Sequence, residues 1–484
     1  MRVPYQTGPG PDARALAGRV VGVYASGGAP WHHLALAAAH GAQVRPVRAE
    51  DVAAGRLDEL DALVVPGGGA IAMAGLLAPL GREGAERIRA WVERGGTYVS
   101  SCAGSVLPLA LHPEADALMP TARCLRMVEV PMANPGDATL GGLASPGVGR
   151  IVVRLDLDHG FAAGLPERVD LVHYNGPLFD VSRAPAGVRP FAWPIGASTA
   201  FTAGERFLPS DAAVEDDATT FARCVARGAA TGLEATVGDG RAVLFGSHPE
   251  FGLGPLLLGW GDGAALLVTA LATCRGPHRR ATAVDDPGWA VRPGRRSDTL
   301  ERLAQDVGEA LREVAERFTA LAVRNVEPWL TPEHAASFHG RDARSAWRED
   351  TVAAAAVARF AATTLERVAP SLAEGDRGWL DDVPRDDQDF GAMGLVQLVD
   401  RVHAMLGAAD RCASEAPVRP AHAYDHFDRH PFHLAVGSYL SAAGLVSAAL
   451  LIAQVLAARH GIGVPDDAAR LLWLPTASDQ SGGI

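Results

Sequence analysis

Three separated stretches carry residue types that can do covalent chemistry together. The first is residues 97–108, TYVSSCAGSVLP. A β-forming run ends in Ser101, Cys102, Ala103 and Gly104, ahead of a segment suited to a helix. Small residues beside a cysteine permit the sharp strand-to-helix turn that lifts a nucleophile off the end of a sheet. A helix N-terminus behind the sulfur favours the thiolate. An isolated cysteine also fits a buried structural role, and this stretch by itself leaves both open. The second runs from Arg241 through GSHPEF, ending in Ser247, His248, Pro249, Glu250 and Phe251. A histidine at a strand end can accept a thiol proton. A carboxylate two residues later lies on the same side of an extended chain and can hold the other ring nitrogen. The third is Pro66, Gly67, Gly68 and Gly69 after an apolar run. Glycines there let the N–H groups of Gly68 and Gly69, with that of Ala103, approach a developing oxyanion. Each stretch is weak alone; the order strand–PGG, strand–SCAG–helix, strand–SHPE is specific.

The surrounding pattern supplies elements that would bring these stretches together. Residues 19–25, Gln43–Val47, residues 60–65 and Thr97–Ser101 are short apolar runs. Helical stretches at residues 31–40 and 82–94 lie between them. Later strands are expected at residues 151–155, 171–174 and 241–246, and a last helix at 256–273. Strands of this kind, separated by helices, indicate a doubly wound, mostly parallel sheet covered on both faces. Residues 276–297 are dense in Pro, Gly, Arg and Asp and read as a linker. The expected organisation is an α/β domain over 1–275, the linker, and an all-α helical bundle over 298–484.

In the second half, Leu300, Leu303, Val307, Leu311, Val314, Phe318 and Leu321 recur at three- and four-residue steps, which puts them on one helix face. Further helices are expected at Ala343–Val368, 393–413 and 434–460. No charge interrupts residues 434–458. That is long enough to span a bilayer, but a helix apolar all round also fits the centre of a bundle, which is the expectation here. His422, His426, His430 and His433 cluster within AHAYDHFDRHPFH. Histidines at i,i+4 spacing are a metal-binding arrangement, yet Pro431 interrupts a continuous helix, and no metal is expected.

Composition narrows the function. The chain has 484 residues, 48% hydrophobic and 21% charged, with a net charge of −12, which fits a globular protein and not a nucleic-acid binder. It contains no lysine, so all 44 basic residues are arginine. That excludes a Walker A lysine, a Schiff-base lysine and a kinase-type phosphate lysine. The five cysteines are widely spaced, with no CxxC, so neither a disulfide framework nor a zinc knuckle is expected. A reducing, cytoplasmic setting fits. The Gly/Pro-rich start lacks the apolar core of a secretory signal.

Residues 18–275 resemble the class I glutamine amidotransferase-like superfamily. Within it they are most similar to the domain found at the N-terminus of fungal biotin–protein ligases and in stand-alone bacterial proteins. The motifs are PGGGA at residues 66–70, CAGS at 102–105, HYNGPLF at 173–179 and GSHPEF at 246–251. The resemblance implies a flavodoxin-like sheet and a Cys102–His248–Glu250 triad. It also implies a pocket loop in which Tyr174, Asn175 and Gly176 contact substrate, although Asn-Gly fits a simple turn nearly as well. Two positions depart from the superfamily: Ser100 stands where glycine is usual, and Val106 stands where the substrate-pocket glutamine is usual. Nothing in the second half matches a biotin-ligase core. The expected function is therefore cysteine-dependent hydrolysis or acyl transfer at a C–N bond of a small-molecule amide, without cofactor. The alternatives are a catalytically silent small-molecule-binding module, whose helical domain binds a protein partner or a second copy, and a membrane-associated scaffold resting on residues 434–458.

Overall fold

The computed structural model describes residues 15–26, 30–67, 72–109, 125–133, 148–174, 176–197, 217–251, 261–274, 276, 296–323, 343–381, 394–415, 460 and 462, with most of 442–457. Nine strands form one sheet. They are β1 (Val20–Tyr24), β2 (Gln43–Val47), β3 (Ala62–Val65), β4 (Thr97–Ser101), β5 (Val148–Leu155), β6 (Arg168–Tyr174), β7 (Val188–Ala197), β8 (Gly232–Val237) and β9 (Gly240–Phe245). Their order is β2-β1-β3-β4-β9-β8-β7-β5-β6. The first five pair in parallel, in the 2-1-3-4-5 sequence of flavodoxin-like sheets. The remaining pairings, from β9 to β8 outward, are antiparallel, so the sheet is mixed, with a parallel core.

Side chains on the core strands divide by pleat. Val21, Val23, Ala62, Val64, Val99, Val243 and Phe245 join one apolar cluster with residues of the helices Trp31–Ala39 and Gly261–Ala272. Val20, Tyr24, Leu63, Val65, Tyr98, Ala242 and Leu244 join another with Leu76, Ile88 and Trp91 of the helix Ala72–Glu93. Both faces of the parallel core are thus covered. The helix expected at 82–94 is the second part of Ala72–Glu93, which breaks at Gly81 (φ 58°, ψ −172°).

The far strand β6 returns to the parallel core. Val172 bridges His248, whose N–H donates to the Val172 carbonyl over 2.8 Å. This contact draws the β6 end against the segment that follows β9.

In the second half, Asp298–Ala322 lies antiparallel to Ala343–Val368. Arg312 pairs with Glu366, while Arg359 Nη2 donates to Thr319 Oγ1 over 2.8 Å, so the two contacts run in opposite chain order. Leu395–Glu415 packs alongside, where Arg317 donates to the His403 carbonyl over 3.3 Å and pairs with Asp410 over 2.9 Å. Leu300, Val307, Leu311, Val314, Phe318 and Leu321 are all buried, with Leu303 packed at their margin. The described residues of 442–457 are helical and buried in the same apolar cluster. Among the described residues no helix is long and apolar enough to cross a membrane. The linker residues 277–295 and His422, His426, His430 and His433 lie outside the described residues. Among those described, no group of three or more His, Cys, Asp or Glu side chains is arranged to hold a metal ion.

The helix pair gives a direct test of this packing. Phe318 is fully buried, whereas Val323, just past the helix end, is 84% exposed. Phe318→Ala is expected to cost about 3–5 kcal/mol in urea unfolding, and Val323→Ala about 0.5 kcal/mol or less.

Candidate active site

The parallel strands deliver their following segments to one edge of the sheet. Cys102 follows β4, His248 and Glu250 follow β9, Gly67 follows β3, and the helix carrying His32 and His33 follows β1. β4 and β9 are hydrogen-bonded neighbours, with Ser101 opposite Phe245. The Cys102 N–H donates to the Phe245 carbonyl over 2.9 Å, which extends that ladder to Cys102.

At Cys102 the backbone turns abruptly, with φ 49° and ψ −122°. A side-chain-bearing residue rarely holds a positive φ, and such strain persists only where the surroundings enforce it. Here β4 ends immediately before and the helix Ala103–Val106 starts immediately after. Gly104 permits the close approach: a Cβ there would lie 2.3 Å from the Val65 carbonyl oxygen and 2.6 Å from that of Pro66. The helix is a single turn, so its dipole is a small influence on the sulfur.

Cys102, His248 and Glu250 come together and are all buried. A Cβ placed on Gly67 would sit 2.9 Å from His248 Cε1 and 3.8 Å from Cys102 Sγ, which puts the ring and the sulfur around one small space. His248 Nδ1 donates to Glu250 Oε1 over 2.7 Å. Its Nε2 is buried without a well-aligned hydrogen-bond partner and interacts with the Cys102 sulfur. The ring is stacked on Phe251, with centroids 4.2 Å apart and planes 3° from parallel. The Cys102 thiol donates to the Tyr174 carbonyl over 3.1 Å.

Burial alone would lower the His248 pKa. Glu250, then charge on the Cys102 sulfur and the hydrogen bonds to both, raise it to about 10. Burial alone would raise Glu250, but His33 and His248 bring it down to about 2. Burial outweighs the pull of Glu250 and holds the pKa of His33 below its ordinary value, so at neutral pH the cation facing Glu250 is His248, and His33 adds its charge only at lower pH. Three more histidines surround the pair without charge. Burial pushes His32 down to about 4 and His173 to about 3, the charge of His248 adding to both.

Ala103 stands at the first helical position, directly after Cys102. Gly68, Gly69 and Asn175 lie outside the described residues. Tyr174 is half-buried, its ring edge-on to His248 at 6.5 Å. Gly176 is packed so closely that a Cβ would meet the Gly246 carbonyl at 1.9 Å, with Cys102 Cα at 3.3 Å. Ser100 Oγ shares a hydrogen bond with Ser105 Oγ at 2.9 Å, and Val106 is buried in the apolar cluster.

Sequence reasoning passed over four polar residues that line this edge. Ser101 Oγ donates to Glu250 Oε1 over 2.8 Å. His33 Nε2 lies 3.3 Å from Ser101 Oγ and 3.6 Å from Glu250 Oε2. His32 packs edge-on to Phe251 at 4.7 Å. Ser247 Oγ meets His173 Nδ1 at 3.1 Å and Thr231 Oγ1 at 2.8 Å. A paired histidine just beyond a parallel strand was the available signal for His32 and His33, because ligands bind at that edge.

The charge pair predicts a pH signature. With its pKa raised from 6.5 to about 10 in the folded state, His248 contributes stability that is complete below about pH 6.5 and is lost as pH rises through about 10. Glu250, lowered from 4.5 to about 2, contributes stability present above pH 4.5 and lost as pH falls through about 2. Glu250→Gln is expected to cost about 3–5 kcal/mol at neutral pH. It should also flatten the alkaline decline, as read by urea unfolding between neutral pH and about pH 10. A variant that declines like the parent would show that the pair is not the source.

No protein-family model matches the chain, and no curated protein matches it. Among solved structures, the chain is similar to a protein assigned as a GMP synthase subunit from Thermoplasma acidophilum. The identity is 14% and the TM-score 0.31, over 52% of this chain and 94% of that one. It is also similar to a beta-galactosidase from Bacillus circulans sp. alkalophilus, at 12% identity and a TM-score of 0.24, over 54% of this chain and 31% of the other.

Proposed function

We propose that this protein is a cysteine-dependent hydrolase or acyl transferase that cleaves a C–N bond of an amide through a thioester on Cys102. The observation that carries this reading is the buried line of sulfur, imidazole and carboxylate at a backbone-strained strand-to-helix turn. A structural cysteine needs neither the strain nor the charge pair.

His248 is an imidazolium held by Glu250, and the Cys102 thiol, which donates to the Tyr174 carbonyl in the resting site, first gives its proton to solvent, so that the attacking species is the thiolate. The sulfur attacks the amide carbon and forms the S–C bond, while the carbonyl electron pair moves to oxygen. The N–H of Ala103 meets that oxyanion, with Gly68 and Gly69 as the expected second donors. Collapse expels the nitrogen, which takes the Nε2 proton of His248 and leaves as an amine or ammonia. His248 is then neutral. It accepts a proton from water, or from an acceptor amine, as that nucleophile attacks the thioester. Release of the thiolate restores the ion pair. Glu250 holds Nδ1–H throughout and fixes which nitrogen faces the sulfur.

The substrate is not expected to be free glutamine. Val106 occupies the position of the superfamily's pocket glutamine and is buried among apolar side chains, so the amide donor it would offer is absent.

A second reading, a silent binding module, is favoured by one observation. Cys102 is 8% exposed and its thiol is engaged by the Tyr174 carbonyl. The two readings separate by trapping. Incubation with a library of small amides and esters, followed by intact-mass analysis, is expected to reveal an acyl adduct on Cys102. Cys102→Ala should abolish it, and His248→Ala should slow its formation by about 10²–10⁴-fold. Absence of any adduct, with Cys102 no more reactive toward a thiol alkylator than Cys224 and Cys274, would favour the silent module.

A further inference from the structure

The triad explains one oxygen of Glu250 only in part and the other not at all. Oε1 accepts from both His248 Nδ1 and Ser101 Oγ, at 2.7 and 2.8 Å. Oε2 is buried and makes no hydrogen bond. A buried carboxylate with an unsatisfied oxygen is costly, and it persists where something polarises it from outside the first contact. His33 is the group in that place. Its Nε2 lies 3.3 Å from Ser101 Oγ and 3.6 Å from Glu250 Oε2, and both side chains are 1% exposed.

The donors and acceptors sort in only one direction. Ser101 gives its single hydroxyl proton to Glu250, so its oxygen can only accept from His33. That requires the proton of the neutral His33 ring to sit on Nε2. The same N–H then points toward Oε2 at 3.6 Å. We infer that His33 and Ser101 are positioning residues of the active site: an Nε2–H tautomer of His33 donates to Ser101 Oγ, which donates to Glu250, which holds His248 against Cys102. This extends the triad into a five-residue relay, and it rests on the catalytic reading given above. The contacts of the His33 ring are with Ser101 and Glu250, so it acts through Glu250.

The relay has a reason to use a neutral histidine. A second cation beside Glu250 would compete with His248 for the same carboxylate and repel the imidazolium. The groups facing Glu250 and His33 are His32, His248 and, beyond them, Cys102, while His173 faces His248. Burial keeps His32, His33 and His173 uncharged, so His248 is the cation among them. A neutral N–H donor strengthens the carboxylate's hold without adding charge.

The full-length chain tests this with two readouts. The first is ¹⁵N NMR of the histidine rings. His33 is expected to be neutral with the proton on Nε2 at neutral pH. The second is the titration midpoint of His248, measured beside the rate of Cys102 alkylation by iodoacetamide at about pH 6. Ser101→Ala removes one atom and His33→Phe keeps the ring volume. Each is expected to lower the His248 midpoint by about one unit, which corresponds to roughly tenfold in proton affinity, and to slow alkylation several-fold. His33→Gln, which retains an amide donor, should recover most of both. A charged His33, an Nδ1–H tautomer, or an unchanged His248 midpoint in folded Ser101→Ala would overturn the relay. If instead the midpoint shifts as expected but no acyl adduct ever forms on Cys102 in the parent, the relay stands as a charge-holding device and the catalytic reading is what fails.

Discussion

A carboxylate removed from water stays ionised only if a cation and hydrogen-bond donors are held against it, and Glu250 is such a carboxylate. Its cation, His248, is equally buried, and the bond between them spans 2.7 Å. Neither charge is tolerable alone. The elements around them must therefore be placed to within a fraction of an ångström. β9 sets where His248 begins, Val172 of β6 fixes its backbone N–H, and Phe251 lies flat against its ring. β4, paired directly to β9, sets Cys102 on the other side. The strained turn at Cys102 and the tight approach of Gly104 to Val65 and Pro66 are the steric consequences of bringing a sulfur to that ring.

The same constraint explains why so many polar groups sit under this edge. Ser101, Ser247 and Thr231 link the ends of β4, β8 and β9 through side-chain hydrogen bonds, while His32, His33 and His173 are buried nearby as uncharged rings. Aromatic-sized groups with polar edges exclude water and still offer donors and acceptors. A shell of this kind keeps the effective dielectric low, which strengthens the His248–Glu250 attraction and any interaction with a developing oxyanion.

Much of this was legible in the amino-acid sequence, for identifiable reasons. Gln43–Val47, Thr97–Ser101 and Ala343–Val368 have the bounds that their apolar patterns indicate, because buried parallel strands and one-sided helices write their burial into residue type. β7 and β8 left no such mark. Pro190 and Pro194 interrupt β7, only three of its ten residues are buried, and β8 alternates through Glu234. Their pairing is set by the hairpin and by neighbours that sequence spacing does not reveal. The approach of Cys102 to His248 and Glu250 was readable because motif order follows strand order at a parallel edge. His33 and Ser101 were not. Ser101 looked like a small residue that merely permits a turn. The contact of His33 with Glu250 depends on how far a helix after β1 reaches across β3 and β4, which is a property of packing.

The charge state of one ring decides whether these strands hold an ion pair. Nitrogen chemical shifts of His248, recorded by ¹⁵N NMR at about pH 8 in the full-length protein, report it without any substrate. A ring protonated on both nitrogens at that pH is the predicted result, since a pKa near 10 keeps the imidazolium intact. A neutral ring with a single N–H would contradict it, and with it the claim that these strands converge to hold a buried ion pair beside Cys102.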